Sequence, residues 1–167
     1  MAEPLTKSHV LSELRAARRD WERLLVDTGA GQLMSARVAR EWPVKAVVYH
    51  ATRYADMFVQ ALEAHLQGSP PPPEVLARPD IDERNTEHFQ QSEKRTLGEV
   101  AAESRQTFDR LIELVQLHSD SFLSEPQQFE GVGEPIIIGN NLLHVCNHYR
   151  AHAADIRART GSDSAAN

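Results

Sequence analysis

Apolar residues recur at three- and four-residue spacing in four separate stretches of this chain, and they almost never alternate. That spacing lines one face of an α-helix but scatters over both faces of a strand, so it restricts the fold to packed helices. The first stretch runs from about Ser8 to Val26, with Val10, Leu11, Leu14, Ala17, Trp21, Leu24 and Leu25 as its stripe. Thr6 or Ser8 is placed to cap it. Gly29 and Gly31 read as its stop. The second stretch opens near Pro43, whose fixed φ and missing donor suit a first helical turn, and continues to about Gln67, before Gly68.

A proline run, Pro70 to Pro73, then excludes helix and reads as a stiff crossover. A short helix is expected from Asp82 to Ser92. The third long stretch begins at Thr96-Leu97-Gly98-Glu99, a capping-box pattern, and stops near Ser119. Residues Asp120 to Gly139 read as loop, with Pro135-Ile136-Ile137-Ile138 as a short extended strip too small for a sheet. The last stretch opens at Asn140 or Asn141 and runs to about Arg159, with Gly161 just beyond. Four long amphipathic helices with almost no strand signal define an all-α four-helix bundle. We expect one domain over residues 1–160 and a frayed tail over 161–167. The long connections leave the order of the helices open.

Composition narrows the function classes. A net charge of −6 argues against nucleic-acid binding and against a basic membrane surface. Arg15, Arg18, Arg19 and Arg23 cluster on the first helix, but Glu13, Asp20 and Glu22 balance them into a solvated face. No stretch approaches the roughly 20 apolar residues of a membrane span. The N-terminus lacks a basic region followed by an apolar run, so no signal peptide is expected. The one cysteine, Cys146, permits no intrachain disulfide, which suits a cytoplasmic protein. It is expected to be a small packed thiol.

The 8 histidines carry the chemistry. Two pairs share i, i+4 spacing, His144–His148 and His148–His152, and position around the helix separates them. At about 100° per residue, Leu142, Val145, Cys146, Tyr149, Ala153 and Ile156 define the buried arc. His152 falls on its margin, His148 beside it, and His144 farthest away. On the second helix His50 shares the core-facing side with Val47, Ala51, Tyr54, Met57 and Phe58. A histidine there must satisfy two ring nitrogens away from water, either with a metal and an acceptor or with ordinary core partners. Two ligands from one helix and one from another form a three-nitrogen metal site with open positions, the form a catalytic metal needs. His65 lies on the His50 side but roughly four turns away. His9, His88 and His118 are expected at the surface. Asp155 reads as a surface carboxylate and Tyr54 as packing one turn from His50. No Gly-rich phosphate loop, G-x-S-x-G or H-E-x-x-H is present.

The segment Trp42-Pro43-Val44-Lys45-Ala46-Val47-Val48-Tyr49-His50 resembles the start of the second helix in DinB/YfiT-like proteins, where a Trp, a Val-Lys pair and a following His recur. Asn147-His148-Tyr149-Arg150-Ala151-His152-Ala153-Ala154-Asp155-Ile156-Arg157 resembles that superfamily's last helix, with its H-x-x-x-H and trailing Asp-Ile-Arg. The middle, from Ile81 through Leu111, is similar in order and length. Pro43 departs from the Ser or Thr cap common in relatives, but it can start a helix by itself.

The resemblance implies a four-helix bundle with an unusual helix order. It also implies a divalent metal, zinc or nickel, held by His50, His148 and His152, and a homodimer. Similar proteins include thiol-dependent transferases and isomerases using mycothiol or bacillithiol, hydrolases, and toxin-resistance proteins. The expected function is therefore a divalent-metal-dependent enzyme acting on a small molecule. It would be a hydrolase, or an S-transferase or isomerase with a low-molecular-weight thiol as cofactor. The alternative is a non-catalytic protein on the same bundle, serving binding, sequestration or stress resistance. No general base is assigned.

Overall fold

Thr6 starts the first helix: its hydroxyl accepts the His9 amide at 3.1 Å. In the computed structural model, which describes residues 5–72, 81–129 and 133–161, this helix, α1 (Lys7–Ser35), runs past the stop expected at Asp27. Gly29 does break the regular backbone, with φ at +74°, a conformation glycine adopts at little cost. The chain then re-enters helix. A glycine marks where helical dihedrals fail, not whether the helix resumes beyond.

In α2 (Val44–Leu66), Pro43 takes the position before the first helical residue with φ −63°. Every residue from Val44 to Thr52 is buried, because α2 is packed on several sides. That includes Lys45, whose Nζ donates to the Arg95 carbonyl at 2.7 Å. The polar helix α3 (Ile81–Glu93) lies against α2. Next, α4 (Leu97–Leu117) opens with the expected capping box: Thr96 Oγ1 accepts the Glu99 amide, and Glu99 Oε2 accepts the Thr96 amide at 2.7 Å.

The segment expected as loop holds a further helix, α5 (Asp120–Ser124). Ser119 caps it by accepting the Phe122 amide, and Phe122 and Leu123 tuck inward. Ile136 and Gln127 exchange two backbone hydrogen bonds in an isolated antiparallel bridge, and no sheet forms among the described residues. The last helix, α6 (Ile138–Thr160), begins two residues before Asn140 and ends at Gly161, with φ +65°. Its early start is possible because Gly139 lets the backbone press on α5. A Cβ there would lie 2.8 Å from the Leu123 carbonyl oxygen. The expected tail beyond Gly161 and the end of the proline run at Pro73 lie outside the described residues.

Around the bundle the neighbours run α1, α4, α2, α6, so the consecutive long helices α1 and α2 face each other mainly across the diagonal. Trp21, Phe108 and Tyr149 join three of the helices at the centre. The Trp21 and Tyr149 rings meet edge-on at 4.8 Å, and Phe108 lies 4.5 Å from Tyr149. No helix among the described residues is long and apolar enough to cross a membrane.

Candidate metal centre

One ring nitrogen from each of His50, His148 and His152 lies within 4.8 Å of the other two. The helix register brings them together. His148 and His152 stand one turn apart on α6, and their Nε2 atoms are 3.0 Å from each other. The His50 ring on α2 lies 5.2 Å from that of His148 and 5.4 Å from that of His152. Tyr54, one turn along α2, packs its ring 4.5 Å from His148, and Trp42 lies edge-on to His50 at 6.0 Å. His144 is exposed and outside the cluster, with its ring 6.2 Å from Tyr54.

The donor set fits a divalent transition metal. A tetrahedral ion with nitrogens at about 2.05 Å spaces them about 3.3 Å apart, between the 3.0 Å and 4.8 Å seen here. Two Nε2 atoms at 3.0 Å, each with an in-plane lone pair, repel unless a proton or a shared cation lies between them. The far nitrogens, His148 Nδ1 and His152 Nδ1, are buried with no hydrogen-bond partner among the described residues. Imidazole ligands suit zinc, nickel, copper and iron.

Burial holds these rings in the neutral form that a metal requires. It pushes His50 down to about 3, helped by the neighbouring histidines and Arg84. His148 is likewise lowered to about 3, by burial, then His152, His144 and Arg84. His152 is lowered by burial, against the opposing charge of Asp155, an exposed carboxylate. The Arg84 guanidinium, felt by both His50 and His148, donates to the Met57 thioether at 3.8 Å and pairs with no carboxylate among the described residues.

These shifts set a pH dependence for the metal-free fold. Between pH 6.5 and about 3, the unfolded chain takes up protons that the folded rings refuse. Stability is therefore whole above about pH 6.5 and falls as the pH drops toward 3. The slope is up to about 1.4 kcal/mol per pH unit for each such histidine. Urea unfolding of metal-free protein at pH 7.5 and pH 5 checks this. Equal midpoints would show that the rings titrate normally.

Two histidines expected at the surface are buried. His118 folds back on its own helix end, where its Nδ1–H donates to the Leu114 carbonyl at 2.7 Å, and Phe122 of α5 stacks on it at 4.7 Å. His65 stacks on Phe122 at 3.7 Å, with its ring 5.1 Å from that of His118. His88 on α3 sits against the three-histidine cluster, with its Nδ1 3.2 Å from His50 Nδ1. It too is held neutral, lowered to about 4 by burial, Arg53 and Arg84. The sequence carries no signal for His88, because α3 has almost no apolar stripe to mark its inward face. Cys146 is a packed thiol pushed up to about 11 by burial. A separate cavity of about 480 Å³ between α1, α2 and α4, bordered by Trp21, Leu25, Val48 and Phe108, contains none of the histidines.

The chain belongs to the DinB superfamily, whose sequence profile matches residues 13–156. Solved structures share its helical fold. A mycothiol-dependent maleylpyruvate isomerase superposes with a TM-score of 0.73 at 14% identity, covering 91% of this chain. This chain in turn spans only 61% of the isomerase's length. An uncharacterized protein from Clostridium difficile 630 gives 0.72 at 13% identity, with 95% of this chain and 96% of that one covered. A protein from Streptococcus pneumoniae gives 0.68 at 13% identity, with 92% and 89% covered. Identities this low establish likeness of fold alone. No curated protein matches the sequence.

Proposed function

We propose that this chain is a divalent-metal-dependent enzyme, with zinc or nickel as the ion, acting on a small molecule. The reaction is a hydrolysis, or an S-transfer or isomerisation using a low-molecular-weight thiol. The observation that carries this reading is the convergence of three neutral imidazoles from two helices, with no carboxylate among them to cancel an ion's charge. A divalent cation held by His50, His148 and His152 would lower the pKa of a water or thiol placed in an open position. The chain's own groups set the surroundings. Tyr54 walls the cluster beside His148, and Trp42 shields the His50 side. Arg84, without a carboxylate partner among the described residues, favours an anionic nucleophile or substrate group.

The test assays metal-loaded protein against small esters, amides and electrophiles, with and without added thiol. Turnover is expected in the wild type and is lost in His152→Ala. The melting temperature of metal-free His152→Ala should stay within about 4 °C of wild type, the shift that about 1 kcal/mol produces in a domain of this size. Stoichiometric ligand binding without product would overturn catalysis in favour of sequestration.

A further inference from the structure

Resting on the metal reading above, we infer that His88 is a positioning residue that fixes the tautomer and ring orientation of His50 as a metal ligand. The inference starts from one contact, His50 Nδ1 to His88 Nδ1 at 3.2 Å, between buried rings on α2 and α3. At that separation the two nitrogens cannot both carry protons, and they cannot both be bare. One donates and the other accepts.

The direction follows from what lies on the other side of His50. Its Nδ1 is engaged with His88, so Nε2 is the nitrogen left to join the His148–His152 pair. If His88 were the donor, His50 would carry its proton on Nε2 and would have no lone pair to offer. With His50 as donor, Nε2 is bare and His88 accepts through Nδ1, keeping its own proton on Nε2. Metal binding selects this second arrangement.

Among the described residues, His148 Nδ1 and His152 Nδ1 are buried without partners, so there His50 is the one ring of the three whose far nitrogen is held by another side chain. Metal-bound histidines depend on such a partner for orientation and basicity, and its loss costs roughly 10–100-fold in affinity. The contact is itself braced. Tyr49 OH donates to Gln91 Oε1 at 3.1 Å across the same helix pair, and Trp42 stacks on Phe89 at 5.5 Å.

The experiment measures zinc affinity by competition, and the cobalt(II) absorption spectrum, in untagged protein, together with the melting temperature of each metal-free variant. His88→Phe keeps a ring but removes the acceptor. His88→Asn places an amide oxygen near the position of Nδ1. We expect roughly 10–100-fold weaker zinc binding and an altered cobalt spectrum in His88→Phe, with most of the affinity kept in His88→Asn. In a His50→Ala background, where only the weak residual zinc binding of His148 and His152 is left to measure at high zinc, His88→Phe should cost nothing further. Wild-type affinity in His88→Phe would overturn the proposal. So would equal losses in both variants, or an undiminished loss in the His50→Ala background, since packing alone would then explain them. If wild-type protein binds neither ion, the metal reading falls and takes this one with it; a failure confined to the His88 variants leaves that reading standing.

Discussion

Prepared without a histidine tag and reconstituted with zinc or nickel, the wild-type protein is expected to hold about one equivalent of metal per chain, and His50→Ala almost none. Of the three clustered histidines, His50 alone comes from α2. Without it, two imidazoles on neighbouring turns of α6 remain, an incomplete set for a four-coordinate ion. The loss should exceed the roughly 10–100-fold that removing a ligand's partner produces. A second readout avoids counting adventitious metal. Free metal at about 1,000 times its dissociation constant stabilises a binding protein by about 4 kcal/mol, or roughly 8–16 °C in melting temperature at this size. That shift should appear in the wild type and vanish in His50→Ala, whose metal-free form should still unfold cooperatively. A wild type that stays metal-free after reconstitution, or a variant with the same shift, would remove the site.

The histidine cluster could be proposed from sequence because it obeys local rules. His148 and His152 share a face by spacing alone, and the apolar residues around Val145 and Tyr149 show which way that face turns. His50 declared itself by lying within an apolar stripe. The capping box at Thr96 and the glycine after α6 were equally local.

What escaped the sequence depends on contacts between distant segments. His88 lies 38 residues from His50, on a helix too polar for its inward face to be marked by hydrophobicity. His118 is buried because α5 closes over it, and α5 itself is a single short turn that a 3.6-residue period cannot reveal. The break at Gly29 was legible, but the helix beyond it was not, since its one buried residue, Leu33, makes no apolar stripe. The arrangement of α1, α4, α2 and α6 around the bundle is likewise a matter of long connections rather than local pattern.

The largest stability effect is expected at Trp21. Its indole is 2% exposed and meets Tyr149 edge-on at 4.8 Å, tying α1 to the residue beside His148 on α6. Replacing a buried aromatic by alanine costs roughly 3–5 kcal/mol, against a total stability of about 5–15 kcal/mol for an ordinary domain. Two features place Trp21→Ala toward the lower end of that range. Trp21 already borders the cavity between α1, α2 and α4, so the new space joins an existing one. Its Nε1–H is buried without a partner among the described residues, a desolvation cost that the substitution relieves. The same reasoning separates a second variant: Trp21→Phe keeps most of the aromatic contact with Tyr149 and also removes the unpaired donor, so it should cost much less. Urea unfolding of metal-free protein, with unchanged slope, gives both numbers. A loss under about 1 kcal/mol for Trp21→Ala would show that the contact with Tyr149 does not hold α1 against the helix that carries two of the three clustered histidines.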